Sequence, residues 1–317
     1  MNNLKKIGLT ALAASLVTTS AFAGALSVSG GASIGVKNTT GTNDPSTGKG
    51  WTMGNQITFS GSGELDNGLN VALSFTIDES DGDTATTSGP ANGSIFDAHS
   101  VTVSSDALGS FKFSGEGGSS AQGAMDAGVA GDLWNNGTGV AEIAGAASGD
   151  NSMFYTLPEL MDGVAVTASM SPGGTAGSHQ SYGVAYTGVE GLTVKLGQGD
   201  SGQVAAKVSS TTMLASYAIG SFTLGVSNTT ADKAGTSDRE VDSMQLAYTV
   251  SDNLSVTYGT ESYETEGNAT TEEIDSIGVS YTTGGMTLSA NTFETKGAGN
   301  AAGAKTERWA LGLSFAF

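Results

Sequence analysis

The chain has 317 residues, 38% of them hydrophobic and only 14% charged, with 48 glycines, 4 prolines and no cysteine. Its 31 acids and 12 bases give a formal charge of −19, which argues against nucleic acid as a partner, because phosphate needs a basic surface. Without cysteine there is neither a disulfide scaffold nor a thiolate metal site.

The first element is an address. "MNNLKKIGLTALAASLVTTSAFA" carries Lys5 and Lys6, an apolar stretch from Ile7 to about Val17, and Ala21-Phe22-Ala23. This order predicts a secretory signal peptide over residues 1–23, cut between Ala23 and Gly24, with one mature domain over 24–317. The apolar run is well short of the roughly 20 residues that a spanning helix needs. Cleavage removes two lysines and no acid, taking the charge from −19 to −21.

From Gly24 onward the chain alternates. In "ALSVSGGASIGVK", Leu26, Val28, Ala32, Ile34 and Val36 share one face, and Ser27, Ser29, Gly31, Ser33 and Lys37 share the other. "LNVALSFTID" repeats the scheme with Leu69, Val71, Leu73, Phe75 and Ile77. A period of two is the signature of strands with one apolar face. Outside the signal peptide no window shows a sustained helical stripe, so the chain reads as all-β.

The breaks sort into two kinds. Short turns fall at Asp66-Asn67-Gly68, Asp106-Ala107-Leu108-Gly109, Met161-Asp162-Gly163, Val189-Glu190-Gly191, Gly220-Ser221, Ser251-Asp252-Asn253 and Thr283-Gly284-Gly285. Such residues suit tight hairpins because they tolerate positive φ or bond locally. Longer polar stretches lie between them, near 38–50, 79–94, 116–150, 172–179, 200–206, 229–238, 265–272 and 297–304. Seven short turns alternating with eight long loops predict sixteen strands. Short connections at one end and long ones at the other describe a transmembrane β-barrel. A soluble sandwich has no reason to sort its connections this way.

The last stretch, "RWALGLSFAF", places Trp309, Leu311, Leu313, Phe315 and Phe317 on one parity. In lipid every backbone group must pair, so a barrel must close. Residues near 305–317 are therefore expected to pair antiparallel with residues near 25–37.

Three stretches carry a resemblance to a known family. The terminal Phe317 with its alternating apolar residues, "GSFKFSGEGG" (109–118) with the long loop after it, and "DNSMFYTLPELMDGVAVTASMSP" (150–172) together resemble the trimeric, 16-stranded general porins of Gram-negative bacteria, of the alphaproteobacterial type. The resemblance implies an outer-membrane channel that passes small hydrophilic solutes and ions, assembles as a homotrimer and sits among outer-membrane lipid and lipopolysaccharide. It implies that Phe317 is the signal read by the outer-membrane assembly machinery. It also implies that the third loop folds inward and narrows the pore, with Glu116, Asp126, Asp132, Glu142 and Asp150 at the constriction and no Lys or Arg among them. Carboxylates in a narrow lumen focus a field that favours cations.

Parity assigns the wall. If the apolar set faces lipid, then Lys37, Asp78, Lys112, Lys195, Glu261 and Arg308 face the lumen, since a charge on the lipid face costs about 2–4 kcal/mol near the midplane. Family members set an arginine cluster against the acidic loop. This chain has only Arg239 and Arg308, so a dense cluster cannot form.

Other chemistry is thin. "DESDGD" offers Asp78, Glu79, Asp81 and Asp83 as oxygen ligands for Ca²⁺, without EF-hand spacing. The two histidines, His99 and His179, give no sequence sign of a hydrolytic triad, and no other cofactor is expected. Two functions stay open at this point: a passive channel, or a non-channel surface β protein with an adhesive or structural role.

Overall fold

The computed structural model describes residues 26–41, 48–78, 96–126, 150–173, 177–202, 207–233, 235 and 237–317. The residues expected to form the signal peptide lie outside these. Sixteen strands run through the described residues: β1 (Ser27–Gly41), β2 (Gly48–Glu64), β3 (Asn70–Asp78), β4 (Phe96–Ser105), β5 (Gly109–Glu116), β6 (Ser152–Thr156), β7 (Val164–Ser171) and β8 (His179–Tyr186). The second half comprises β9 (Leu192–Asp200), β10 (Val208–Ile219), β11 (Phe222–Lys233), β12 (Arg239–Ser251), β13 (Leu254–Thr265), β14 (Glu272–Thr283), β15 (Met286–Lys296) and β16 (Lys305–Ala316).

Each strand pairs antiparallel with its sequence neighbour, and β1 pairs with β16 to close the barrel. The closing register runs from Gly31 opposite Ala316 to Gly41 opposite Thr306. Phe317 extends it: the Gly30 N–H donates to Phe317 O at 2.7 Å, and the Phe317 N–H to Gly30 O at 3.0 Å. The expected closure is present, shifted a few residues along β1.

All seven short turns fall where the Gly, Asn, Asp and Ser clusters place them. Gly109 shows why: its φ is +76°, and a Cβ there would collide with Thr156 O. No L side chain fits that turn without strain.

The large exposed apolar residues share the outward parity, among them Ile34, Trp51, Met53, Leu73, Leu224, Ile277 and Leu311. Cross-strand aromatic pairs reinforce that face, with Phe59 stacked on Phe75 at 4.9 Å and Phe222 on Tyr248 at 4.6 Å between ring centroids. Such pairs contribute about 0.5–1.5 kcal/mol beyond the area they bury.

The inner face also carries a cluster of apolar side chains. Ala231, Val241, Tyr263, Ile274 and Phe293, on consecutive strands β11 to β15, are buried on the inward parity, with Val208 packed against them. Parity alone predicts small and polar groups there.

Candidate functional site: the barrel interior

The inner wall is dressed with hydroxyls. Ser169, Ser181, Thr212, Thr229, Ser243 and Ser276 project from its inward parity, and several bond one another across strands. A wall of this kind is compatible with water, in contrast to the apolar outer face.

The third connection enters this space. After β5, residues 117–126 turn over the inner face of β7 to β10, with a 3₁₀ turn at Gly123–Met125. The Ala121 N–H donates to Ser169 Oγ at 2.9 Å and the Gln122 N–H to Ser181 Oγ at 3.3 Å. The Gln122 side chain donates from Nε2 to Thr212 Oγ1 at 2.7 Å. Two wall glycines make the approach possible. A Cβ on Gly183 would lie 2.7 Å from Ala121 O, and one on Gly197 would lie 3.0 Å from the Gln122 Cα. Backbone lies directly on backbone here, as glycine allows.

The five acids assigned to the constriction part company. Asp126 follows the 3₁₀ turn inside the barrel, its N–H donating to Gly123 O at 3.2 Å. Asp150 is exposed in the turn that returns to β6. Asp132 and Glu142 lie outside the described residues. Glu116 requires a correction. A register shift between β4 and β5 sets it opposite His99, which has the outward parity of Val101 and Val103, and its carboxylate lies 4.0 Å from His99 Nδ1. A bulge adds one residue to β5 and changes which side chain meets which.

The wall residues keep the inward parity assigned to them, but not all meet open water. Lys37 and Lys112 are exposed on that face, and Asp78 and Lys195 are partly so. Glu261 is only 2% exposed and accepts a hydrogen bond from the Ser243 hydroxyl. Arg308 is half-buried, its guanidinium carbon 5.8 Å from the centre of the Phe293 ring. Glu261 is thus a covered group within the wall, and Arg308 is stacked on a ring of the apolar stripe.

Of the Ca²⁺ candidates, Asp78 ends β3, while Glu79, Asp81 and Asp83 lie outside the described residues. No three His, Asp or Glu side chains converge on a metal position among the described residues. His179 Nδ1 accepts the Gly202 N–H at 3.1 Å, so one of its ring nitrogens serves the fold of the β9–β10 connection.

Sequence reasoning missed Gln122 and Glu272. Gln122 sits in "SSAQGAMD", where no local pattern marks it out. Glu272 shares the parity of the inward Ile274, a signal that the loop assignment over 265–272 concealed.

A closed antiparallel barrel with an apolar outside, a hydroxyl-lined inside and a third connection folded inward defines a β-barrel channel of the diffusion type. Residues 8–274 match the family of Gram-negative porins, and the chain belongs to that family. It is accordingly a porin of the outer membrane, not an enzyme, which decides between the channel and the adhesive or structural alternative. No curated protein matches the sequence. The fold is similar to the anion-selective porin from Comamonas acidovorans (18% identity, TM-score 0.70, covering 92% of this chain and 99% of that one). It is similar also to Salmonella typhi OmpF in complex with daunomycin (13%, 0.71, 92% and 97%). A third likeness is the trimer form of Vibrio cholerae OmpT (15%, 0.64, 92% and 100%).

Proposed function

We propose that this porin is a homotrimeric, modestly cation-preferring channel for small hydrophilic solutes, seated among outer-membrane lipid and lipopolysaccharide. The observation that carries the size-limiting role is the seating of residues 117–126 on the inner face of β7 to β10. A segment held there narrows the cross-section available to solutes.

Charge supports the sign. The mature chain carries −21, and the 117–150 connection holds four carboxylates, Asp126, Asp132, Glu142 and Asp150, and no base. Lys37, Lys112 and Lys195 act in the opposite sense from the wall, so the net preference is modest. The Comamonas acidovorans porin, of similar fold, is anion-selective, which leaves the sign to this chain's own charges.

Trimerisation is supported by the OmpT trimer form and by the apolar outer wall of β1 and β2, where Ile34, Trp51 and Met53 are exposed. The test has two arms. Liposomes containing the protein should swell in small sugars and exclude large ones, and native mass measurement in mild detergent should find three chains. Impermeable liposomes would overturn the channel, and single chains alone would overturn the trimer.

A further inference from the structure

Among the described residues, four side-chain oxygens are buried without a hydrogen-bond partner, Glu272 Oε2, Asn291 Oδ1, Thr295 Oγ1 and Thr306 Oγ1, and those of Glu272, Thr295 and Thr306 stand together at one end of β14, β15 and β16. Glu272 is 2% exposed, and both threonines are 0% exposed. They form one patch on the inner face, at the end of the barrel that carries the long connections. Thr295 stands directly opposite Thr306. Thr295 also faces Ile274, so Glu272, two residues away on the same parity, is its diagonal neighbour. Diagonal neighbours lie within reach of long side chains.

Three facing threonine pairs bond each other across strands: Thr58 with Thr76 at 2.9 Å, Thr212 with Thr229 at 3.1 Å, Thr282 with Thr287 at 3.0 Å. Thr295 and Thr306 do not, and neither turns its hydroxyl to the carboxylate beside it. The carboxylate is nevertheless fixed. Glu272 Oε1 accepts from Asn300 N at 3.0 Å and from Asn300 Nδ2 at 3.3 Å, while Asn300 Oδ1 accepts from Asn268 Nδ2 at 2.6 Å. Glu272 is therefore the point where the β13–β14 and β15–β16 connections are tied together.

A buried carboxylate oxygen without a donor is costly unless a cation or a donor meets it or the group takes up a proton. We propose that Glu272, Thr295 and Thr306 form a site for a hard divalent cation of the calcium class, which fastens the two connections over the inner wall. One carboxylate and two hydroxyls, with no nitrogen or sulfur, suit such an ion, and water completes its shell. Glu261, opposite Ile274 on β13, adds a second negative charge to the same region, and Arg308, two residues from Thr306 on the same face, adds a positive one.

Tb³⁺, a luminescent stand-in for Ca²⁺, tests the site directly, because Tyr263 stands opposite Glu272 and can sensitise its emission. The full protein in detergent should show tyrosine-excited Tb³⁺ emission that excess Ca²⁺ displaces. Glu272→Gln should weaken Tb³⁺ binding about tenfold or more, the effect of losing a charged ligand. Thr295→Val with Thr306→Val, which conserves shape, should weaken it as well and covers the case in which the Glu272 variant does not fold. Glu273→Gln, its exposed outward neighbour, should leave it unchanged. Absence of displaceable emission in the unmodified protein would mean that the patch holds water only and would overturn the proposal. So would equal binding by the protein and its Glu272 or double-threonine variants, or equal loss in the Glu273 variant.

Discussion

Gln122 donates its side-chain amide to the hydroxyl of Thr212 at 2.7 Å, across 90 residues of sequence, and both side chains are buried. Thr212 in turn shares a hydrogen with Thr229 at 3.1 Å. The third connection is thereby pinned to the middle of the wall, next to the glycine pair that lets its backbone settle there. Pore geometry depends on this seat more than barrel stability does, because the wall strands keep their own ladders without it.

Gln122→Ala should release the seat. Removing the amide that Thr212 accepts from costs about 1–3 kcal/mol for that buried bond, while the backbone bonds to Ser169 and Ser181 remain. The barrel should keep its heat-resistant form, while single-channel records show added current noise and altered conductance. Gly197→Val should act in the same direction by pushing the backbone of Gln122 away. Quiet channels of unchanged conductance in both variants would refute the pinning role.

Turn glycines offer a stability test with an internal control. Gly109 and Gly68 both have positive φ, +76° and +79°, but only at Gly109 would a Cβ meet neighbouring backbone. Gly68→Ala should cost about 1 kcal/mol from the left-handed conformation alone. Gly109→Ala should cost about 2 kcal/mol or more, since the clash adds to that strain. Urea unfolding in lipid vesicles measures both, and equal midpoints would contradict the account.

Deleting Phe317 removes the two backbone hydrogen bonds to Gly30 and the ring that lies over that glycine. Fewer folded trimers should reach the outer membrane, and those that do should conduct normally. Heat-modifiable gel mobility of membrane fractions reports the first effect, and bilayer recordings the second. Normal trimer levels would remove Phe317 from assembly.

Selectivity tests the acids assigned to the third connection against those of the 79–83 stretch. Neutralising Asp126, Asp132 and Glu142 together should lower cation preference more than neutralising Glu79, Asp81 and Asp83. The difference should grow at low salt, where the screening length approaches about 30 Å at 0.01 M. Reversal potentials across a planar bilayer under a salt gradient compare the two sets. Equal shifts, or an anion-selective unmodified channel, would rule out the inward-loop mechanism while leaving the barrel intact.

Much of this architecture was legible in the chain because it depends on local rules. A period of two sets which side chains share a face, turn residues mark the hairpins, and the unpaired edges of a membrane sheet force closure. Lys37 and Lys112 needed no coordinates to be placed inward. Local rules cannot say what covers an inward residue. Glu261 and Lys37 are equivalent by parity, yet one is buried under a serine hydroxyl and the other is exposed. A single bulge moved Glu116 from the loop's acidic set to the side of His99. The partners of Gln122 and Glu272 lie on other strands or in another connection. Only when the sheet closes and its third connection folds inside do those positions meet, because packing within a barrel depends on contacts far apart in sequence, whereas strand alternation is written into neighbouring residues.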